Sequence, residues 1–313
     1  MSKYLITGGA GFIGSHLAEL LLANGHDVFI IDDLSTGSEK NLPTGVNFLH
    51  ADIRDTQLLS NVLTGLDGIF HLAAVASVTK STEDWLGTHS VNLTATIGIF
   101  DTLARSGLHI PIVYASSAAV YGDQGDAVLT EASPTKPLSG YGADKLGCEQ
   151  HAAVATRVWS IPTAGFRFFN VYGPRQNPKS DYSGVISIFS DRALKNQKIT
   201  VHGDGQQVRD FVFVKDVANH LSAGMNWLQE QGRAVAAVFN VCTGISTTIS
   251  QLALIISAAA GSNMAVDHGP ARLGDIRISK GDPHLANSTL KCGTFRPLAS
   301  GIAELLASYE GTA

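Results

Sequence analysis

A tyrosine and a lysine four residues apart, Tyr141 and Lys145, are the side chains of this sequence best suited to proton transfer. On a helix, that spacing places both side chains on one face. A nearby ammonium favours the phenolate form of a phenol, so Lys145 fits Tyr141 for general acid/base work near neutral pH. Ser117 supplies a hydroxyl at the end of an apolar run, 24 residues before Tyr141. The three residues predict a catalytic set that handles the proton of a hydroxyl group.

A glycine-rich loop, Thr7-Gly-Gly-Ala-Gly-Phe-Ile-Gly14, lies between a predicted strand and a predicted helix near the start of the chain. Gly8 permits a tight turn, Gly11 lets backbone N–H groups approach a pyrophosphate, and Gly14 lets the helix pack closely on the sheet. The helix N-terminus adds partial positive charge for phosphates. The loop therefore predicts a dinucleotide site, whose expected contacts are Gly8, Gly11, Phe12, Ile13 and Gly14.

Acidic residues after the second predicted strand favour NAD over NADP. Asp32 ends that strand, 18 residues after Gly14, where a carboxylate can accept hydrogen bonds from the adenosine ribose diol. Asp32 and Asp33 would repel a 2′-phosphate, and no Arg or Lys follows them before Lys40. For Asp33, a cofactor contact and a solvated loop carboxylate are equally weighted interpretations.

Three further segments are candidates for holding the cofactor. Asp52 and Ile53 follow the third predicted strand and are expected to meet the adenine, although Asp52 could also cap the helix that starts near Asp55. The small residues after the fourth strand would let a cofactor lie across the strand ends; they are Leu72, Ala73 and Ala74. Asn92 lies within a helical pattern, which indicates either a polar task or simple surface exposure.

The elements that must position these residues alternate between short apolar runs and helical patterns, as in a parallel sheet with crossover helices. We predict an α/β fold, a Rossmann-type doubly wound parallel sheet followed by a smaller α/β C-terminal domain. Predicted strands are Tyr4–Ile6, Val28–Ile31, Val46–Leu49, Gly68–Leu72, Ile110–Ala115 and Thr163–Phe168, and predicted helices are Phe12–Asn24, Trp85–Arg105 and Gly140–Arg157. The alternation in Arg209–Val217 predicts a strand that returns to the main sheet.

Composition excludes several classes of function. The 313 residues are 44% hydrophobic with a net charge of −5, and no Lys/Arg-rich run suggests nucleic-acid or membrane-surface binding. Apolar stretches are too short or too interrupted to span a bilayer, and the first residues form a strand rather than a signal peptide. Cys148, Cys242 and Cys292 are odd in number and widely spaced, which predicts no disulfide framework and no metal site, and fits a reducing cytoplasm.

Taken together, the motifs resemble the extended short-chain dehydrogenase/reductase family, and within it the nucleotide-sugar C4-epimerases of the UDP-glucose/UDP-N-acetylglucosamine type. The resemblance runs from about Lys3 to near Tyr309. It rests on segments in the family's order, namely Thr7–Gly14, Ser116–Gly122, Tyr141–Lys145, Arg167–Arg175, His202–Gly205, Arg209–Phe211 and Arg272–Asp275. It implies an NAD-binding domain over residues 1–170 and a mainly nucleotide-sugar-binding domain over 171–313, with 209–243 partly returning to the first.

The resemblance implies a role for each catalytic residue. Tyr141 is the acid/base at the sugar 4-hydroxyl, Ser117 hydrogen-bonds the same oxygen, and Lys145 holds the nicotinamide ribose. Ser116 could compete with Ser117, or both hydroxyls could simply satisfy a strand end. The implied reaction is oxidation to a 4-keto sugar, rotation of the ketone, and reduction on the opposite face. The implied substrate contacts are Ser77, Val78, Ser116, Ser117, Asn170, Val185, Arg209, Arg272, Asp275 and Ser279.

Several positions separate related activities. Dehydratases and decarboxylases of the family carry an acidic residue where this chain has Ala118-Ala119, which cannot move a proton. Ser279 is small where epimerases restricted to non-acetylated sugars carry Tyr, so it leaves room for an N-acetyl group, although it could be an inconsequential loop serine. Ala76 replaces a Lys that some members place near the nicotinamide ribose. Arg209 and Asp210 could otherwise form an ordinary surface ion pair.

The function that follows is C4 epimerisation of UDP-N-acetylglucosamine/UDP-N-acetylgalactosamine, and of UDP-glucose/UDP-galactose, by a cytoplasmic isomerase with tightly bound NAD. The alternatives are another nucleotide-sugar oxidoreductase, such as a reductase or a UDP-glucuronate epimerase, and an NAD sensor, which the intact catalytic set disfavours. The resemblance also implies a homodimer that pairs its two long helices in a four-helix interface. Apolar residues on them could serve that contact or the monomer core; they are Ile97, Phe100, Leu103 and Leu146.

Overall fold

The computed structural model describes residues 1–178, 184–271 and 275–310. Its strands are β1 (Lys3–Thr7), β2 (Asp27–Asp32), β3 (Asn47–His50), β4 (Gly68–His71), β5 (Ile112–Ser117), β6 (Thr163–Phe168), β7 (Asn170–Tyr172), β8 (Ile199–His202), β9 (Val208–Arg209), β10 (Phe211–Phe213), β11 (Ala236–Val241), β12 (Thr247–Thr248) and β13 (Val266–Gly269). Its helices are α1 (Phe12–Ala23), α2 (Thr56–Val62), α3 (Val78–Glu83), α4 (Trp85–His89), α5 (Ala95–Arg105), α6 (Gly140–Trp159), α7 (Val185–Leu194), α8 (Val214–Glu230), α9 (Ile249–Ala259), α10 (His284–Leu290) and α11 (Leu298–Glu310).

Seven parallel strands form the main sheet in the order β11-β6-β5-β4-β1-β2-β3. The chain order reverses between β1 and β4, where Thr7 pairs with His71. Open sheets of this kind bind ligands in the crevice at such a reversal, beyond the carboxyl ends of the strands. The doubly wound Rossmann-type fold predicted from the sequence is therefore confirmed.

Helices cover both faces of this sheet, each burying an apolar stripe. On one face, α1 and α8 contribute Leu17, Leu21, Leu221 and Met225 to the core. On the other face, α2, α5 and α6 contribute residues such as Leu59, Ile99 and Ala152. Phe100 and Leu103 belong to this second core and are 5% and 0% exposed, so these two side chains serve the monomer rather than a surface.

The predicted helix Trp85–Arg105 is interrupted by a wide π-helical segment, Ser90–Thr94, that joins α4 to α5. Such single wide turns displace side chains locally and are common near functional sites. The helix predicted as Gly140–Arg157 forms as α6 and begins where the Ser139 side chain accepts a hydrogen bond from the Gly142 N–H.

The strand predicted over Arg209–Val217 is wrong in its length and in its partner. Only Phe211–Phe213 forms β10, which pairs with β7 in a separate two-stranded sheet. The helix α8 begins at Val214, because Val217, Leu221 and Leu228 recur at helical spacing and are buried against the main sheet. The strand that joins the main sheet from this region is β11, beside β6.

A third apolar core lies beyond the main sheet. It gathers side chains of α7, α9 and α11, including Phe189, Leu252 and Ile302, against β8 and the small β7–β10 sheet. Two further small sheets are β8–β13 and β9–β12. The helices that the structure describes include none that is both long enough and apolar enough to cross a bilayer.

Candidate active site

The glycine loop closes tightly between β1 and α1. Gly8 has φ +73°, and a Cβ there would lie 2.7 Å from the Ala73 nitrogen. A Cβ on Gly14 would lie 2.3 Å from the Gly8 carbonyl oxygen, closer than atoms can approach. The tight turn and the close helix packing that the spacing predicts are both present. The N-terminus of α1 therefore faces a backbone cradle that side chains would fill.

A cavity of about 610 Å³ opens at the carboxyl ends of β1, β2, β4 and β5. It brings together the predicted catalytic set and nearly every predicted cofactor residue. Those lining it are Gly8, Gly11, Phe12, Ile13, Gly14, Asp32, Asp33, Asp52, Ile53, Leu72, Ala73, Ala74, Ser116, Ser117, Tyr141 and Lys145. The arrangement has the size and the shape of a dinucleotide crevice.

Asp32 is fixed at the edge of this cavity by the backbone. Its Oδ2 accepts from the Ala10 N–H at 2.9 Å and its Oδ1 accepts from the Leu34 N–H at 2.8 Å. Burial raises the pKa of Asp32, although both hydrogen bonds oppose that rise. Asp33 is exposed, and its carboxylate accepts from the backbone and hydroxyl of Ser35. The backbone therefore fixes the Asp32 carboxylate, whereas the Asp33 carboxylate binds Ser35 and also lines the cavity, so its cofactor contact stays a prediction.

The helix cap after β3 is Asp55 and not Asp52. The Asp55 side chain accepts from the Leu58 N–H at 3.0 Å at the start of α2. Asp52 instead forms an ion pair with Arg54, which holds the pKa of Asp52 below its usual value through a side-chain hydrogen bond. Arg54 also lines the cavity, although its position in the sequence did not indicate it.

The Asn92 side chain forms hydrogen bonds within the protein. It is 1% exposed, so the alternative of surface exposure is wrong. Its Oδ1 accepts from the Val75 N–H at 2.8 Å and its Nδ2 donates to the Val75 carbonyl at 3.2 Å. The amide lies in the π-helical segment, and it fixes the loop after β4 that lines the cavity. Asn92 therefore supports that loop, and its direct contact with the cofactor stays a prediction.

Lys145 is held between helix and strand. Its ammonium donates to the Ala115 carbonyl at 2.9 Å and lies 5.9 Å from the centre of the Tyr141 ring. Ser117 ends β5, and its hydroxyl oxygen accepts from the Ala119 N–H at 3.1 Å. Tyr141, Lys145 and Ser117 therefore line the same cavity, with Lys145 in contact with the strand that ends at Ser117.

Ser116 and Ser117 have different surroundings because successive strand side chains point to opposite faces. The Ser116 hydroxyl is buried and donates to Glu149 Oε1 at 2.5 Å. The Ser116 hydroxyl therefore has an internal acceptor, whereas the Ser117 hydroxyl bonds only to the backbone N–H of Ala119 among the described contacts; both residues line the cavity, and a sugar contact by either stays a prediction.

A buried histidine that the sequence reasoning missed lies beneath the cavity. Thr96 Oγ1 donates to the Asn92 carbonyl, so it accepts from His71 Nε2 at 2.8 Å. His71 Nδ1 then accepts from the Thr7 hydroxyl at 2.7 Å. Burial, reinforced by Lys145, lowers the pKa of His71 to about 3, so the imidazole is neutral. The available signal was a polar residue ending the apolar run Gly68–His71.

The residues predicted to bind the sugar nucleotide lie mostly outside the cavity. Arg209 Nη2 pairs with Asp275 Oδ1 at 2.5 Å, beyond the main sheet. The surface-pair alternative for Arg209 and Asp210 is wrong, because Asp210 is fully buried and accepts from Thr243 and Gly244. Arg272 lies outside the described residues.

The other predicted substrate residues have structural positions of their own. Ser77 caps α3, and Val78, at its first position, is exposed. Val185 begins α7, and Asn170 begins β7. Ser279 donates its backbone N–H to the Val208 carbonyl at 3.0 Å. Of the described residues predicted to contact substrate, Ser116 and Ser117 are the two that line the cavity.

The cavity also has polar lining residues that the sequence analysis did not single out. They include Ser35, Thr36, Lys80, Thr88 and Gln176. Each sits on a loop or short helix, where hydrophobic periodicity gives no signal. In the part of the chain that is described, no group of His, Cys, Asp and Glu side chains could hold a metal ion.

Comparison with known proteins agrees with this geometry. The profile of the NAD dependent epimerase/dehydratase family matches residues 4–242. A UDP-glucose 4-epimerase of Mycolicibacterium smegmatis is 35% identical over 320 residues, which cover 98% of each chain. The structure of a Thermotoga maritima UDP-glucose 4-epimerase with UDP-glucose superposes with a TM-score of 0.93 at 31% identity, covering 99% of both chains.

A second solved structure is a UDP-N-acetylglucosamine 4-epimerase of Methanobrevibacter ruminantium in complex with UDP-N-acetylmuramic acid. It superposes with a TM-score of 0.91 at 31% identity, covering 100% of this chain and 99% of the other. These similarities extend over the whole chain and confirm the resemblance inferred from the motifs. The chain therefore belongs to the NAD-dependent epimerase/dehydratase family.

Proposed function

We propose that the protein interconverts the C4 epimers of a UDP-hexose, with NAD held in the cavity of the main sheet. The observation that supports the proposal is that Tyr141, Lys145 and Ser117 line the same cavity as the glycine loop and Asp32. A hydroxyl of a bound sugar beside Tyr141 would thus lie near the reactive end of a dinucleotide.

The residues present fit NAD. The cradle formed by Gly8 and Gly14 leaves room for a pyrophosphate against the start of α1. Asp32 keeps lone pairs for ribose hydroxyls after accepting from Ala10 and Leu34. Lys145 uses one donor on Ala115 and retains two for the second ribose. When bound, NAD supplies the acceptor, and later the donor, of a hydride at carbon 4.

Residues of the protein accept and return the proton of the sugar 4-hydroxyl. Tyr141 takes the proton of the 4-hydroxyl as carbon 4 is oxidised, and it returns that proton as the ketone is reduced. Ser117 hydrogen-bonds the same oxygen. Between the two steps the 4-keto sugar turns over and presents its other face, so the sugar must be held loosely and the nucleotide firmly.

The residues that would hold the nucleotide firmly lie in the region beyond the main sheet. We assign Arg209, with Asn170, to the diphosphate, since a guanidinium matches phosphate oxygens. Arg209 is partly buried and oriented by Asp275. We assign Asp275 and Arg272 to the nucleotide. Residues 1–170, with part of 209–243, would then hold the cofactor, and 171–313 mainly the sugar nucleotide.

We further propose that the sugar carries an N-acetyl group, with UDP-glucose/UDP-galactose as additional substrates. The two solved structures, one of each kind, are both 31% identical to the chain, whereas the Mycolicibacterium smegmatis relative, at 35% identity, is a UDP-glucose 4-epimerase, so the N-acetyl group is argued from Ser279 alone. The backbone around Ser279 is fixed, because Ser279 donates to Val208 and the Lys280 carbonyl accepts from Leu129. A short side chain on a fixed backbone leaves space that a large side chain would fill.

Ala118 and Ala119 limit the reaction. They follow Ser117 directly, in a single turn of 3₁₀ helix, and offer no group that could move a proton. Elimination or decarboxylation would need such a group near carbons 5 and 6. The site therefore supports oxidation and re-reduction without further chemistry.

Exposed apolar side chains on α4 and α6 support the proposal of a homodimer. Trp85 and Leu86 are 67% and 81% exposed, and Val158 is 60% exposed. Neighbouring helices that leave such side chains in water are typical of an interface. Static light scattering should give about twice the 33.0 kDa mass of one chain. The free cysteines fit the proposed cytoplasmic location.

The test of the proposed activity is direct. The purified protein is incubated separately with UDP-N-acetylglucosamine and UDP-glucose, and the C4 epimers are separated by chromatography. Both substrates should approach an equilibrium mixture of epimers. Absence of the second epimer in both reactions would contradict the proposal.

A further inference from the structure

A buried ion pair joins the catalytic helix to the main sheet. Arg167, on β6, is 5% exposed and binds Glu149 of α6 through two bonds, Nε to Oε1 at 2.8 Å and Nη2 to Oε2 at 2.6 Å. Glu149 Oε1 also accepts from the Ser116 hydroxyl of β5 at 2.5 Å. One carboxylate therefore ties together three elements at the carboxyl end of the sheet.

The third guanidinium nitrogen of Arg167, Nη1, contacts residues outside α6. Nη1 donates to the Tyr121 hydroxyl at 2.9 Å and to the Glu131 carbonyl at 3.2 Å. Tyr121 donates in turn to Asn240 Oδ1 at 2.6 Å, and its ring lies 4.8 Å from the guanidinium carbon. Every nitrogen of the Arg167 fork thus has a partner.

Asn240 carries the network to the segment that contains Ser279. Its Nδ2 donates to the Leu129 carbonyl at 2.9 Å. Leu129 donates its N–H to the Lys280 carbonyl at 2.9 Å, and its carbonyl accepts from the Asp282 N–H. The chain of contacts therefore runs from α6 to the segment Ser279–Asp282.

The end of this network at Glu149 and Ser116 adjoins the proposed catalytic residues. Ser116 directly precedes Ser117, and Glu149 follows Tyr141 and Lys145 at intervals of four residues on the same helix face. A shift of Glu149 would move α6, and with it Tyr141, relative to β5. A displacement of about 1 Å at a reacting group can lower a rate about 10²-fold.

A gain in folding stability does not by itself explain why an ion pair is buried at this position. Replacing a buried ion pair by apolar residues of similar volume is often neutral or stabilising, because burial removes both charges from water. A fully hydrogen-bonded fork does, however, hold its partners in one geometry.

We propose that Arg167 is a positioning residue of the active site. Through Glu149, Arg167 fixes the position of Tyr141 relative to Ser117. Through Tyr121 and Asn240, it fixes the position of the Ser279–Asp282 segment relative to Tyr141 and Ser117. The inference rests on the proposed epimerase function and adds the residue that gives its catalytic groups their geometry.

The test compares Glu149→Met/Arg167→Met with Arg167→Met and Arg167→Lys. The double variant leaves no unpaired charge, although the Ser116 hydroxyl loses its acceptor, so it should keep its bound NAD and lose less in melting temperature than Arg167→Met. Its kcat for UDP-sugar epimerisation should fall about 10²-fold, with KM changed less than about twofold. Arg167→Lys should recover part of the kcat that Arg167→Met loses, but not all, because an ammonium lacks the planar fork.

Tyr121→Phe provides a second, milder variant that keeps the aromatic ring and removes only the hydroxyl between Arg167 and Asn240. Its kcat should fall about tenfold at unchanged KM. A folded double variant or Tyr121→Phe enzyme with wild-type kcat would overturn the inference while leaving the proposed function intact. A wild-type protein that epimerises neither UDP-sugar would overturn the proposed function, and the inference with it.

Discussion

The Lys145 ammonium is held on the Ala115 carbonyl, which is two residues before Ser117 on the same strand. The same ammonium lies 5.9 Å from the centre of the Tyr141 ring. One hydrogen bond thus links the catalytic helix to the strand that presents the catalytic hydroxyl. The positive charge of Lys145 is thereby fixed near the Tyr141 ring.

Tyr141→Phe should abolish epimerisation while leaving the fold and the cofactor in place. In the proposed mechanism the hydroxyl exchanges a proton with the substrate, and such acid/base catalysis contributes on the order of 10²–10⁴-fold to a rate. The measurement is kcat on both UDP-sugars, with bound NAD and melting temperature as controls. Unchanged activity would remove Tyr141 from the mechanism.

Ser279→Tyr should abolish turnover of UDP-N-acetylglucosamine and spare UDP-glucose. The added ring would fill the space left beside the fixed backbone at this position, where the N-acetyl group is expected. The measurement is kcat/KM for each substrate. Ser288→Tyr, at an exposed position on α10, is the matched control and should affect neither. Equal loss on both sugars, or on neither, would refute the role of Ser279.

Asp32→Asn should weaken NAD binding and narrow the preference for NAD over NADP. The change removes the charge that repels a 2′-phosphate and places an amide N–H group against the backbone N–H of Ala10 or Leu34. That mismatch should also lower the free energy of unfolding by about 1–3 kcal/mol. Titration of the apoprotein with each cofactor measures the preference.

Asp33→Asn is the control for this experiment, because Asp33 is exposed and its contacts are to Ser35. It should leave the stability near its wild-type value and narrow the preference for NAD less than Asp32→Asn does, because the exposed charge of Asp33 is screened by water. If the two variants behaved alike, Asp32 would not be the residue that selects the cofactor.

The stability of the protein should fall as the pH is lowered below about 6.5, the pKa of an unfolded histidine. The pKa of folded His71 is about 3, so between these values the unfolded chain binds one more proton at this residue. The free energy of unfolding then decreases by up to about 1.4 kcal/mol per pH unit as the pH falls. Above pH 6.5 this contribution is complete.

His71→Gln removes the titrating group and keeps polar atoms between Thr7 and Thr96. In urea unfolding followed from pH 7.5 to 5, its slope with pH should be smaller than that of the wild type by the equivalent of one proton. His16 and His220, whose pKa values burial also lowers, contribute to the slope in both proteins. Identical slopes would show that His71 is not buried neutral.

Features encoded in consecutive residues were predictable from the sequence. The glycine loop depends on close approaches of the chain to itself at Gly8 and Gly14, so their spacing specifies the turn. Tyr141 and Lys145 share a helix face because of their separation alone. The helices and strands around them were predicted within a few residues, since each buries an apolar stripe or run.

Features that depend on a distant partner were not predictable. Asp52 and Asp55 are equally good caps in sequence, and the position of Arg54 decides between them. The partner of Asn92 is Val75, and that of Ser116 is Glu149, both set by packing. The alternation over Arg209–Val217 ended at Phe213 because burial of α8 against the main sheet favoured a helix over a longer strand.

The central claim is that carbon 4 is oxidised and then reduced in one site without exchange with water. The most direct test uses a UDP-sugar with deuterium at carbon 4, followed by mass spectrometry of the separated epimer. The account predicts that the epimer formed retains the deuterium at carbon 4, because the hydride removed from carbon 4 is the one returned. Formation of an epimer that has lost the deuterium to solvent would contradict it.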